Sequence, residues 1–133
     1  MNDWWRYLLA FIIACHGLTY LLFGFLGPAA IKEWSGSRIL GRVLSVRQIH
    51  LAIPVAHVVA GVAIMAAAIA IAFVPAAPAW WVFLALVGGV GSIAAFAAFW
   101  DGRAENIVQE GGIGLGLSLT LVVVALAFPG AFG

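Results

Sequence analysis

Four stretches of about twenty largely apolar residues constrain this chain more than any motif it carries. They run from about Tyr7 to Gly27, Gln48 to Val74, Ala79 to Trp100 and Gly112 to Phe128, the last being the shortest. A hydrocarbon core about 30 Å thick takes roughly twenty residues of helix to cross. Within it every backbone N–H and C=O must be paired inside the protein, so only helices and closed barrels are viable. No alternating ten-residue pattern points to a barrel. Composition agrees, since 65% of the 133 residues are hydrophobic and 8% are charged, against about 25% charged in a soluble domain. The expected fold is all-α: one integral membrane domain over residues 1–133, built as a four-helix bundle.

The same counts exclude several classes. A net charge of +1, with the basic residues dispersed, gives no footprint for nucleic acid. The one cysteine, Cys15, leaves no internal disulfide and no thiolate metal cluster, and its default reading is a buried structural thiol. The first apolar run begins almost at once and is too long for the core of a cleavable signal peptide.

Interface markers frame the spans. Trp4, Trp5, Trp80, Trp81 and Trp100 fall at span ends, and Pro28, Pro75, Pro78 and Pro129 punctuate the exits. The connection from Pro75 to Pro78 is so short that spans two and three must be antiparallel neighbours. Lys32, Arg38, Arg42, Arg47 and Arg103 lie in the first and third loops, and Arg6 alone lies on the other side. The positive-inside rule then places loops 28–47 and 101–111 in the cytoplasm and both termini outside, in a bacterial or archaeal cytoplasmic membrane. In "SRILGRVLSVRQ", Arg38 and Arg42 are one helical turn apart, with Ile39, Leu40, Val43, Leu44 and Val46 filling the other side. This predicts a short interfacial helix between spans one and two, its basic edge towards lipid headgroups.

Small residues suggest where the helices meet. Span three carries Gly88, Gly89, Gly91 and Ser92. Span four carries Gly112, Gly116 and Thr120 on one stripe, and Gly114 with Ser118 on another. Such residues let backbones approach closely, either within the bundle or against another subunit. Asp101, Glu105 and Glu110 gather with Arg103 in the third loop and read as a solvated turn. None of the four spans holds an acidic residue, which argues against a di-iron site or a carboxylate-based carrier.

Ionisable residues within a span are costly and point to function or to specific pairing. His16 lies in span one, and His50 and His57 lie in span two. His50 is in the first turn beside Arg47, within reach of headgroup water. His16 is eleven residues before Gly27 and His57 nine after Gln48, or roughly 16 and 14 Å from the same membrane face at 1.5 Å per residue. The two are therefore level on antiparallel helices. Pro54 should free the carbonyl of His50 and bend or widen span two. Ile12, Thr19, Tyr20 and Phe23 share the face of His16.

Three readings follow. His16 and His57 could ligate the iron of a haem b, with His50, Arg47 or Arg42 at its propionates. Histidine could instead hydrogen-bond a quinone carbonyl, assisted by Tyr20 or Arg47. Or the histidines pair with each other, with Thr19 or with the carbonyl freed by Pro54, and serve packing alone.

The string "HGLTYLLFG" in span one, the long connector ending near Arg47 and the exit "ALAFPGAFG" together resemble DoxX-like membrane proteins. That resemblance covers the layout of the whole chain and implies a four-helix bundle within a respiratory or thiol-redox membrane complex. Family members often carry a lysine after the first-span glycine and a glutamate early in span two. Here Thr19 and Tyr20 occupy the first region, and span two has histidines instead of glutamate. The expected role is a small subunit or ligand-binding module of a membrane redox assembly, in contact with lipid and with other membrane subunits or copies of itself. It is not a stand-alone enzyme. The rivals are a purely structural accessory subunit and a small dimeric transporter.

Overall fold

A computed structural model of the chain describes residues 3–26, 37–74, 78–107 and 112–130. Expectations that fall on Pro28, Lys32, Pro75 and Glu110 lie outside these residues. Four helices account for nearly all of it: α1 (Asp3–Leu26), α2 (Val46–Phe73), α3 (Pro78–Phe99) and α4 (Gly112–Ala127). No strand occurs among the described residues. The protein is an all-α integral membrane bundle.

Three of the helices are long and apolar enough to cross a membrane, with 24, 28 and 22 residues. The fourth has 16, about 24 Å of helix at 1.5 Å per residue, and falls short of a full crossing. Helix boundaries follow local chemistry. α2 begins at Val46, two residues before the expected start, because Ser45 and Gln48 form a capping box. The Gln48 N–H donates to Ser45 Oγ at 3.3 Å, and the Ser45 N–H donates to Gln48 Oε1 at 2.8 Å. The helix then runs through Pro54 as one element to Phe73.

α2 is the central helix. Its apolar window is 56% buried, against 33% for α1 and 28% for α3. The helices pack in chain order, α1 on α2, α2 on α3 and α3 on α4. Ile64, Ala67 and Ile71 of α2 meet Trp81 and Ala85 of α3 and Ala125 of α4 in a core of near-zero exposure. Between α1 and α2 one close approach is glycine on glycine. A Cβ on Gly17 would lie 3.0 Å from the Gly61 carbonyl oxygen, and one on Gly61 would lie 2.9 Å from that of Gly17. Only bare backbone allows this contact, which supplies dispersion energy where lipid removes any hydrophobic drive between helices. In α3 the adjacent glycines face opposite ways, Gly88 towards Ile64 of α2 and Gly89 towards Val122 of α4.

The outer surface is inverted relative to a soluble protein. Phe11, Phe25, Val55, Val59, Phe83, Val90 and Val123 all face outwards with more than half of their surface exposed. Such side chains on every helix require a lipid solvent.

The short helix expected between α1 and α2 is a single 3-10 turn, Leu40–Arg42. It is held to the end of α3 rather than extended. The Ser37 hydroxyl donates to the Ala98 carbonyl, and the Arg38 N–H donates to the Trp100 carbonyl at 3.0 Å. Two carbonyls that a helix end would leave without partners are thereby satisfied from another segment.

Candidate functional site

The packing just described places Tyr20 and Phe23 of α1 against His57 of α2, so the two histidines are not level as expected: His57 lies opposite Tyr20 and Phe23, one to two turns along α1 from His16. The glycine contact draws these two helices together at Gly17, next to His16, and at Gly61, one turn after His57. Tyr20 touches each imidazole: it meets His16 edge-on at 5.2 Å between ring centroids (86° between planes) and stacks on His57 at 5.6 Å (23°). Phe23 lies 4.8 Å from the His57 ring, and Phe99 at the end of α3 lies 6.1 Å from it. His16, Tyr20 and His57 are all buried, at 6%, 7% and 6% exposure.

Each histidine has a defined polar partner. His57 Nδ1 lies 2.8 Å from the Ile53 carbonyl one turn back. A carbonyl only accepts, so Nδ1 carries the proton and Nε2 the lone pair. His16 Nε2 lies 2.9 Å from Ser118 Oγ of α4, which is 2.5 Å from Ser92 Oγ of α3, itself 2.9 Å from the Gly89 carbonyl. Two proton arrangements satisfy this chain. Protons can run from His16 through Ser118 and Ser92 to the carbonyl, or Ser92 donates to Ser118 and Ser118 donates to His16, which keeps both interhelical links and gives up the bond to the Gly89 carbonyl. In both, one buried relay ties α1, α4 and α3 together. Gly114, one turn before Ser118, makes room: a Cβ there would sit 3.3 Å from the Tyr20 ring and 3.5 Å from His16.

The remaining sequence candidates lie elsewhere. Arg47 and His50 are exposed in the first turns of α2, His50 roughly 10 Å along the axis from His57. Arg38 and Arg42 line a separate pocket beside Trp100. Thr19 is exposed and donates to the Cys15 carbonyl on its own helix at 2.9 Å, so it is not a histidine partner. Cys15 is exposed as well, contrary to the expectation of a buried thiol. One residue from His16 is about a hundred degrees around the helix, and that turn carries Cys15 onto the outer face. On α4 the inward stripe is Gly114 and Ser118. Gly116 has nothing within 4 Å, and Thr120 is exposed and bonds the Gly116 carbonyl. The partners that sequence reasoning missed are Ser92, Ser118 and Phe99.

The Nε2 of His16 is engaged by Ser118, Tyr20 lies against both imidazoles, and Phe23 lies against His57. No group of three or more His, Cys, Asp or Glu gathers among the described residues in a way that could hold a metal ion. Beside His16 a lateral groove of about 80 Å³ opens between α1 and α4, lined by residues that include Leu9, Ile13, Trp81, Thr120 and Val124. Pockets for drug-sized ligands run to roughly 300–1,000 Å³, so this groove takes a chain or a small ring rather than a large cofactor. Comparison with models of protein families, with curated proteins and with solved structures gives no match.

Proposed function

We propose that the protein is a small accessory subunit of a larger membrane assembly, without chemistry of its own, and that buried His16 acts as a polar tie between helices while His57 packs α2 against the aromatic rings of α1. The observation that carries this reading is the relay from His16 through Ser118 to Ser92, in which the polar groups of three helices are spent on one another. The outward faces are apolar along their length and suit lipid or the helices of a neighbouring subunit. A redox setting for that assembly comes from the resemblance to DoxX-like proteins, and the cytoplasmic placement of the first and third loops comes from the basic residues they carry.

A second reading has one observation in its favour. His16 lines the α1–α4 groove together with aliphatic side chains, the surroundings that a quinone ring with an isoprenoid tail would need.

Extraction in a mild detergent followed by native sizing tests the first reading. The protein is expected at a mass well above multiples of its 13.9 kDa chain, and the purified chain is expected to show no Soret absorption when made with haem supplied. A chain that runs alone and carries stoichiometric quinone on solvent extraction, lost in His16→Ala, overturns it in favour of the second.

A further inference from the structure

The other concentration of polar chemistry lies where the segment before α2 meets the end of α3. Arg38, Ile39, Arg42, Ala97 and Trp100 line an open pocket of about 340 Å³. The pocket wall is built rather than incidental. Ser37 is buried and donates to the Ala98 carbonyl, its Oγ accepts the Leu40 N–H at 2.9 Å, and the Gly41 N–H returns to the Ser37 carbonyl at 3.1 Å. These bonds fix the 3-10 turn with both arginines towards one space. Gly102 packs against Arg38, at φ +86° and so close that a Cβ would lie 2.7 Å from Arg38 Cδ. Its neighbour Asp101 turns a carboxylate oxygen to the Arg103 N–H at 2.8 Å.

The usual reason for basic residues at a helix C-terminus is to offset its exposed carbonyls and dipole. Here the Ser37 hydroxyl and the Arg38 N–H already bond the carbonyls of Ala98 and Trp100, so the guanidiniums have another role. Guanidinium groups present paired N–H donors that match the oxygens of a phosphate. Beside them Ile39 and Val43 are 57% and 78% exposed, and the Trp100 indole forms part of the pocket, as an aromatic ring does at headgroup depth. Cationic, aromatic and aliphatic groups thus adjoin at the end of a membrane-spanning helix.

We propose that Arg38 and Arg42 form a binding site for a phosphate-bearing anion at the membrane edge, of the kind an anionic phospholipid presents, with an acyl chain running down past Ile39 and Ala97. A soluble phosphate offers the same oxygens without the chain.

Native mass spectrometry of the intact protein in a neutral detergent, titrated with phosphatidylglycerol, phosphatidylcholine or inorganic phosphate, tests the site. Phosphatidylglycerol is expected to bind saturably at one per chain and more tightly than phosphatidylcholine. Arg38→Gln and Arg42→Gln are each expected to weaken it about fivefold, the equivalent of about 1 kcal/mol per basic residue at an anionic surface. Arg47→Gln, which removes an exposed arginine outside the pocket, should leave it unchanged. Inorganic phosphate that displaces the lipid in an Arg42-dependent manner identifies a soluble phosphate as a source for the same site, and failure to displace it identifies the lipid. Equal binding of the two phospholipids, or an equal loss in Arg47→Gln and Arg42→Gln, overturns the proposal.

Discussion

Ser118→Ala is the sharpest test of the relay. The serine hydroxyl touches His16 on α1 at 2.9 Å and Ser92 on α3 at 2.5 Å, so its removal cuts two links between helices and changes side-chain volume very little. Hydrogen bonds between membrane helices contribute about 0.6 kcal/mol on average and about 1.7 kcal/mol at most. Two links therefore predict a loss of about 1.2 kcal/mol, with an upper bound of about 3.4 kcal/mol by the same figures. A double-mutant cycle with His16→Ala isolates the histidine–serine link, because the cycle cancels the contact of His16 with Tyr20 that is lost in both His16 variants. Its coupling energy is expected at about 0.6 kcal/mol or above. Thr120→Ala is the control. That hydroxyl is exposed and bonds the Gly116 carbonyl of its own helix, so its loss should stay within about 0.5 kcal/mol. Reversible unfolding in mixed micelles of neutral detergent and dodecyl sulfate, followed by far-ultraviolet circular dichroism, measures all four stabilities. A coupling energy of zero, with Ser118→Ala no worse than Thr120→Ala, would refute the claim that the relay holds the helices together.

Two further outcomes can be read in the same assay. Gly17→Ala should destabilise by about 1–3 kcal/mol, the range for overpacking, because its Cβ would meet the Gly61 carbonyl oxygen and the Met65 nitrogen at 3.0 Å. Gly116→Ala, with nothing within 4 Å, should be neutral or should stabilise by up to about 1 kcal/mol through helix propensity. Ser37→Ala, which leaves the Ala98 carbonyl and the Leu40 N–H without their hydroxyl partner, should cost about 1–2 kcal/mol and speed amide exchange at Leu40. An unchanged exchange rate would mean that the loop is not anchored through that side chain.

The helices were legible because hydropathy is a property of the whole segment. Four uncharged runs announce themselves, and observed ends fall within a few residues of those expected. The relative depth of His16 and His57 was not accessible: Gly17 faces Gly61 and Gly24 faces Pro54 and Val58, a register that sets His57 opposite Tyr20 and Phe23, one to two turns along α1 from His16, whereas depth counted from the span ends assumes that those ends lie level. The histidines' partners were not accessible. Ser92 and Ser118 have the same sequence signature whether they serve as small packing residues or as hydrogen-bond groups, and only the meeting of α3 with α4 separates the two uses. On α4 the stripes through Gly114 and Gly116 are about two hundred degrees apart and equally apolar, so sequence alone could not say which one faces α1. Thr19 shows the same limit from the other side. A face assigned from one histidine spans a wide arc, and its edges turn out to point away from the bundle. The Ser45–Gln48 capping box stands in the sequence as Ser-x-x-Gln before an apolar run, and the expected start at Gln48 overlooked it.

One dimension of the bundle bears on where in a membrane it can rest. α4, at 16 residues, is about 6 Å shorter than a typical hydrocarbon core, while α1 and α2 exceed that thickness. Lipid beside α4 must thin or tilt to keep its tails off the helix ends, and lipid beside α2 must thicken, at fractions of a kcal/mol per ångström of mismatch. The protein therefore carries a thickness gradient around its circumference. Regions of thinner bilayer, or a neighbour whose own helices flank α4, relieve that strain, which among the described residues is concentrated at α4.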